Sequence, residues 1–104
     1  MKIYYFMLEA VPTEDNLESE LYKGAFVNCW VKGATYFTAL KKAKKHIHDE
    51  KWEVLNILEA YVTDRESYID LPEALECYDE ACKCGLSSIF YTWENDYEDE
   101  EYII

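Results

Sequence analysis

The segment Lys2 to Glu9, KIYYFMLE, constrains the fold more than any other part of the chain. It is dense in Tyr, Phe and Ile, residues that suit extended backbone. Neighbouring side chains of a strand point to opposite faces. Here both faces are apolar, with Ile3, Tyr5 and Met7 on one and Tyr4, Phe6 and Leu8 on the other. A strand apolar on both sides belongs in the middle of a sheet.

The rest of the chain supplies what such a strand needs. Ala25 to Val31 (AFVNCWV) reads as a second strand, ended by Lys32-Gly33. Thr35 to His48 reads as a helix, because Tyr36, Leu40, Ala43 and Ile47 recur along one helical face. Val54 to Thr63 reads as a third strand and Ser88 to Trp93 as a fourth. Between them Asp70-Leu-Pro-Glu73 opens a second helix, with Asp70 as expected cap, Pro72 in the first turn and Gly85 as the stop. Residues 12–24 are polar and acidic and read as a loop or short helix, with Leu17 and Leu21 four apart. The pattern predicts an α+β fold. It is a two-layer sandwich of about four strands with both amphipathic helices on one face of the sheet. A ferredoxin-like arrangement is one candidate.

A chain of 104 residues is expected to form one domain, taken as residues 1–94, followed by an acidic tail at 95–104. Half of the residues are apolar, which excludes a disordered chain. The net charge is -12, from 22 acids against 10 Lys and Arg. Such a charge repels phosphate backbones and anionic lipid heads, so neither nucleic acid nor a membrane is expected as partner. The apolar run Ile3 to Leu8 is too short for a signal peptide or a membrane span. The expected location is therefore cytoplasmic, with Cys29, Cys77, Cys82 and Cys84 as thiols.

No catalytic motif stands out. There is no Gly-rich phosphate loop and no G-x-S-x-G elbow. The cysteine spacings fit no zinc site, and His46 and His48 lie two apart on a helix, pointing to nearly opposite sides. No metal, cofactor or catalytic residue is expected, and an enzyme is the less favoured class. Candidate binding residues remain. Asn28 sits mid-strand, where Asn is disfavoured, and shares a face with Phe26 and Trp30. Lys41, Lys42 and Lys45 belong to a run holding four of the chain's lysines in five residues, a basic patch in an acidic molecule. Cys29, on the face opposite Trp30, reads as a small core residue.

The runs GAFVNCWV, EAYVTDRESY and FYTWE have the general look of small bacterial proteins, a likeness that carries no activity or site. The leading expectation is a small acidic binding module for a protein partner or a copy of itself. Its sharper form is an immunity or inhibitor protein that covers a basic partner. The alternative is a small ligand-binding domain or enzyme using the sheet face near Asn28 and Trp30. A pocket on that face would favour the alternative; a flat aromatic patch would favour the binding module.

Overall fold

The computed structural model describes residues 1–94. Four strands form one antiparallel sheet: β1 (Lys2–Pro12), β2 (Tyr22–Gly33), β3 (Trp52–Thr63) and β4 (Leu86–Glu94). Helix α1 spans Tyr36–Asp49, helix α2 spans Pro72–Cys84, and a 3-10 turn at Arg65–Tyr68 precedes α2. The strand order across the sheet is β3-β1-β2-β4, so the doubly apolar strand lies inside it as its pattern demands. Every neighbouring pair is antiparallel. The expected tail at 95–104 lies outside the described residues.

The helices are on opposite faces of the sheet, not on one. Tyr4, Phe6 and Leu8 of β1 pack with Val27, Cys29 and Val31 of β2 against Ala39, Ala43 and Ile47 of α1. The alternate residues Ile3, Tyr5 and Trp30 pack against Tyr68 of the 3-10 turn and Ala81 of α2. The physical reason lies in β1 itself. Both of its faces are apolar, and burial of a large apolar side chain contributes about 1.5–3 kcal/mol. One helical layer would leave half of that unclaimed.

The ferredoxin-like arrangement is not adopted. It needs a crossover helix between its first two strands, whereas here β1 pairs directly with β2 and residues 13–21 make only turns. Asn16 explains why this segment is not a helix. Its side-chain amide donates to the Lys51 carbonyl at 2.8 Å, and its Oδ1 accepts from the Glu18 amide at 2.8 Å. Thr13 donates its backbone amide to the same Lys51 carbonyl. Leu17 is fully exposed, so the Leu17–Leu21 spacing buries nothing.

Local signals set the helix ends. Thr35 caps α1, its hydroxyl accepting from the Thr38 amide at 3.2 Å. Gly85 ends α2 at φ 98°, a left-handed conformation that glycine adopts without strain. Asp70 does not cap α2. The N-cap is Leu71, which makes no side-chain cap bond, and Asp70 stands one residue before it; Pro72 fills the start of the helix, where its missing N–H costs nothing.

Trp30 is 2 % exposed, with ring centroids 5.3 Å from Tyr5 and 6.0 Å from Tyr68. Trp30→Ala should therefore cost roughly 3–5 kcal/mol through the cavity it leaves. Cys29 is fully buried on the α1 side, so Cys29→Ser, which buries a hydroxyl, should cost about 1–3 kcal/mol. Urea melts of the two variants measure both values. A Trp30→Ala protein as stable as the parent would refute the packing described.

Candidate functional site

Among the described residues, the sheet face that carries α2 is only half covered. Strand register arranges its side chains in rows across β3, β1, β2 and β4. The row Tyr61–Tyr5–Trp30–Ser87 lies under the 3-10 turn and α2. The next row, Glu59–Met7–Asn28–Ile89, is at the margin of that cover. The row after it, Asn56–Glu9–Phe26–Tyr91, lies beyond it. Phe26 is 39 % and Tyr91 46 % exposed. Tyr61, at the β3 margin, is also exposed.

Local geometry fixes this open half. Trp93 lies against Phe26, with ring centroids 4.8 Å apart. Gly24 makes room for the indole: a Cβ there would stand 2.5 Å from the Trp93 Cζ2 atom. Tyr91 donates its hydroxyl to Glu73 Oε1, at the first turn of α2, at 3.0 Å. Asn56 donates to Glu9 Oε1 at 2.8 Å. The result is an aromatic surface edged by Glu9, Glu59 and Glu73, with Glu53 opposite Val11 further along. Lys32 lies at the far end of this face beyond Trp30, where its Nζ donates to the Cys82 carbonyl at 3.2 Å. Partial burial first, and then the Glu73 carboxylate, raise the Tyr91 pKa. Burial first, then Tyr68 and Glu59, raise that of Tyr61. Both phenols stay neutral donors under ordinary conditions.

The residues singled out in the sequence are not brought together. Trp30 is sealed beneath the 3-10 turn and α2. Asn28 is half-buried at the edge of the open region. Its Oδ1 and the Trp30 Nε1 are enclosed and have no hydrogen-bond partner among the described residues. Lys41, Lys42 and Lys45 ride on α1, across the sheet from both. Two of these lysines are engaged within the chain. Lys42 donates to the Lys32 carbonyl at 3.0 Å, and Lys45 pairs with Asp49 at 3.0 Å. The Lys45 hydrogen bond holds the Asp49 carboxyl below its usual range. His46 bonds Ser88 Oγ at 2.9 Å, tying α1 to β4, while His48 is exposed.

Lys42, Lys45 and His46 also line a shallow hollow of about 330 Å³ with Cys84 and Gly85. It lies at the C-terminal ends of both helices, whose exposed carbonyls favour cations over anions. The lysines there answer acceptors of the protein itself, Lys42 the Lys32 carbonyl and Lys45 the Asp49 carboxylate. Three other hollows, one beside α1, one on α2 and one between Tyr22, Trp52 and Phe90, likewise include neither Asn28 nor Trp30. Among the described residues, no three His, Cys, Asp or Glu side chains are grouped to hold a metal ion. Cys82 and Cys84 are exposed thiols, Cys77 is half-buried and Cys29 is buried. No helix of the described residues is long and apolar enough to cross a membrane.

Sequence reasoning placed Phe26 beside Asn28 and Trp30 but missed Tyr91, Trp93 and the flanking acids. The alternation Ile89, Tyr91, Trp93 within β4 was the available signal. Comparisons with protein-family models, with curated proteins and with solved structures find no match.

Two outcomes are expected. Gly24→Ala should push the Trp93 ring off Phe26 and change the near-UV dichroism, leaving the far-UV spectrum intact. Unchanged aromatic signals would mean that the rings are not held this way. The second concerns pH. Burial pushes the Cys29 thiol up to about 12 from 9.0, and burial with neighbouring phenols raises Tyr5 above 10.0. A proton held more tightly in the folded chain stabilises it fully below the unfolded pKa and is lost as pH rises through the folded one. Urea midpoints should therefore fall from about pH 9 toward pH 12. A midpoint that rises over this window contradicts the burial of these groups.

Proposed function

We propose that this chain is a binding protein for a basic protein surface, in the manner of an inhibitor or immunity protein. The observation that carries this reading is the open half of the α2-bearing face. There Phe26, Tyr91 and Trp93 form an aromatic surface whose neighbouring charges are Glu9, Glu59 and Glu73. Tyr and Trp are the usual anchors of protein interfaces. Carboxylates around them select a cationic partner and speed its approach. The net charge of -12 adds long-range attraction of the same sign. Arg suits such a surface twice over, through its planar stacking on aromatic rings and its paired bonds to carboxylates.

The alternative, a ligand or enzyme site on the face near Asn28 and Trp30, has less behind it. Trp30 is buried, Asn28 turns its carbonyl inward, and the exposed part of the face is a surface of aromatic rings.

An eight-residue arginine peptide, titrated at physiological salt and followed by amide shifts, tests the proposal. Shifts should centre on Phe26, Tyr91 and Trp93. The double variant Phe26→Ala/Tyr91→Ala, which leaves the charge unchanged, should weaken binding about tenfold or more. Shifts spread over all acidic residues, with no effect of the double variant, would reduce the interaction to bulk charge and sink the reading.

A further inference from the structure

Among the described residues, strand β3 is an edge of the sheet, with β1 on its inner side. Proteins usually blunt such an edge by keeping it short or by placing Lys or Pro in it, because its free backbone groups invite another strand. At twelve residues β3 is not short, and WEVLNILEAYVT holds no Lys, Arg or Pro. It also exposes large apolar side chains, among them Leu55 at 52 %, Tyr61 at 48 % and Val62 at 50 %. One protective device is present. The register against β1 slips twice, leaving Leu58 and Leu55 as extra residues without a β1 partner. Such bulges disrupt the ladder locally and spoil the edge for pairing.

The bulges leave one stretch untouched. Glu59 to Thr63 pairs with Met7 to Ile3 in unbroken register. Its side chains alternate between two different surroundings. Glu59 and Tyr61 stand on the α2-bearing face, in line with Met7 and Tyr5 and next to the acid-edged open region. Ala60 and Val62 stand on the α1-bearing face, opposite Phe6 and Tyr4. There Tyr36 packs on Tyr4 and Phe6, and Phe37, 78 % exposed, lies edge-on to Tyr36. One side of this short edge is thus acidic and aromatic, the other apolar.

Extending the reading above, on which this inference rests, we propose that the Glu59–Thr63 edge takes up an extended segment of the basic partner as a fifth strand. The segment is one in which Lys or Arg alternates with Val, Ile or Leu. Successive side chains of an added strand fall on opposite faces. The cationic set then stands over Glu59 and Tyr61, and the apolar set beside Val62. Main-chain bonds supply affinity, and the alternation supplies specificity. Charge decides against a second copy as occupant, because the charges that β3 would bring to the acidic face are its own Glu53 and Glu59.

The test uses three ten-residue peptides on the intact protein at physiological salt. The first alternates Lys and Val. The second holds the same residues as a Lys block followed by a Val block. The third is the first with its backbone fully N-methylated, which keeps side chains and charge but removes every amide donor. The alternating peptide should bind at least about tenfold more tightly than either control. It should also slow hydrogen exchange at amides within Glu59–Thr63. Equal binding of all three, mapped to Phe26 and Tyr91, would overturn strand addition while leaving the basic-partner reading intact. Binding of none would count against both. Exchange protection at Glu59–Thr63 that grows with protein concentration in the absence of peptide would show that a second copy covers the edge, and would overturn the proposal.

Discussion

Strand β1 must be buried on both faces, and the rest of the architecture answers that demand. Tyr4, Phe6 and Leu8 need one cover, and Ile3 and Tyr5 need another. The chain has two amphipathic helices, and each face receives one. Lengths then decide what is left over. A helix of thirteen residues, such as α2, is roughly 20 Å long. A strand of twelve, such as β2, is roughly 40 Å long. On the α1-bearing face Tyr22, Trp52 and Phe90 extend the cover beyond the helix, whereas α2 covers the end of its own face around Trp30 and leaves the end around Phe26 open among the described residues.

The side chains along each strand change character where the cover stops. On β1 the α2-bearing series runs Ile3, Tyr5, Met7, Glu9, passing from buried through half-buried to charged. On β2 it runs Trp30, Asn28, Phe26, Gly24. Asn28 sits where the apolar contacts of α2 end, and its amide marks that border. The α1-bearing series shows no such break, since Ala25, Val27, Cys29 and Val31 are all fully buried. The two faces of one strand thus carry different duties. The α1-bearing face is core along its length, and the α2-bearing face is core only in part.

Much of this order was legible in the chain. The strand at Lys2, the helix over Thr35 to His48 and the stop at Gly85 follow from local chemistry: an apolar run of strand formers, one apolar helical face and a left-handed glycine. The facing of the helices was not legible, because an apolar stripe on a helix fits either side of a doubly apolar sheet equally well. The turn at 13–21 depends on Asn16 reaching Lys51, thirty-five residues away in sequence, and no local pattern encodes that reach. The aromatic surface was hidden for the same reason. Phe26 and Tyr91 become neighbours only through the pairing of β2 with β4. The lysine run, by contrast, was conspicuous because it is contiguous. In space, Lys42 and Lys45 answer a carbonyl and a carboxylate of their own chain.

An exposed aromatic surface carries a hazard, since contiguous apolar patches promote self-association. Here the flanking charges reduce it. Two copies meeting through Phe26 and Tyr91 would bring Glu9, Glu59 and Glu73 of each molecule toward those of the other. Like charges placed together at an interface cost several kcal/mol. The same carboxylates impose no such penalty on a cationic partner, for which they become binding groups. Salt separates the two effects. Screening over a Debye length of about 8 Å at physiological ionic strength weakens the long-range attraction. It leaves contacts buried against the aromatic rings largely intact. The arrangement therefore favours partners that bring positive charge and apolar surface together, and disfavours those that bring only one of the two.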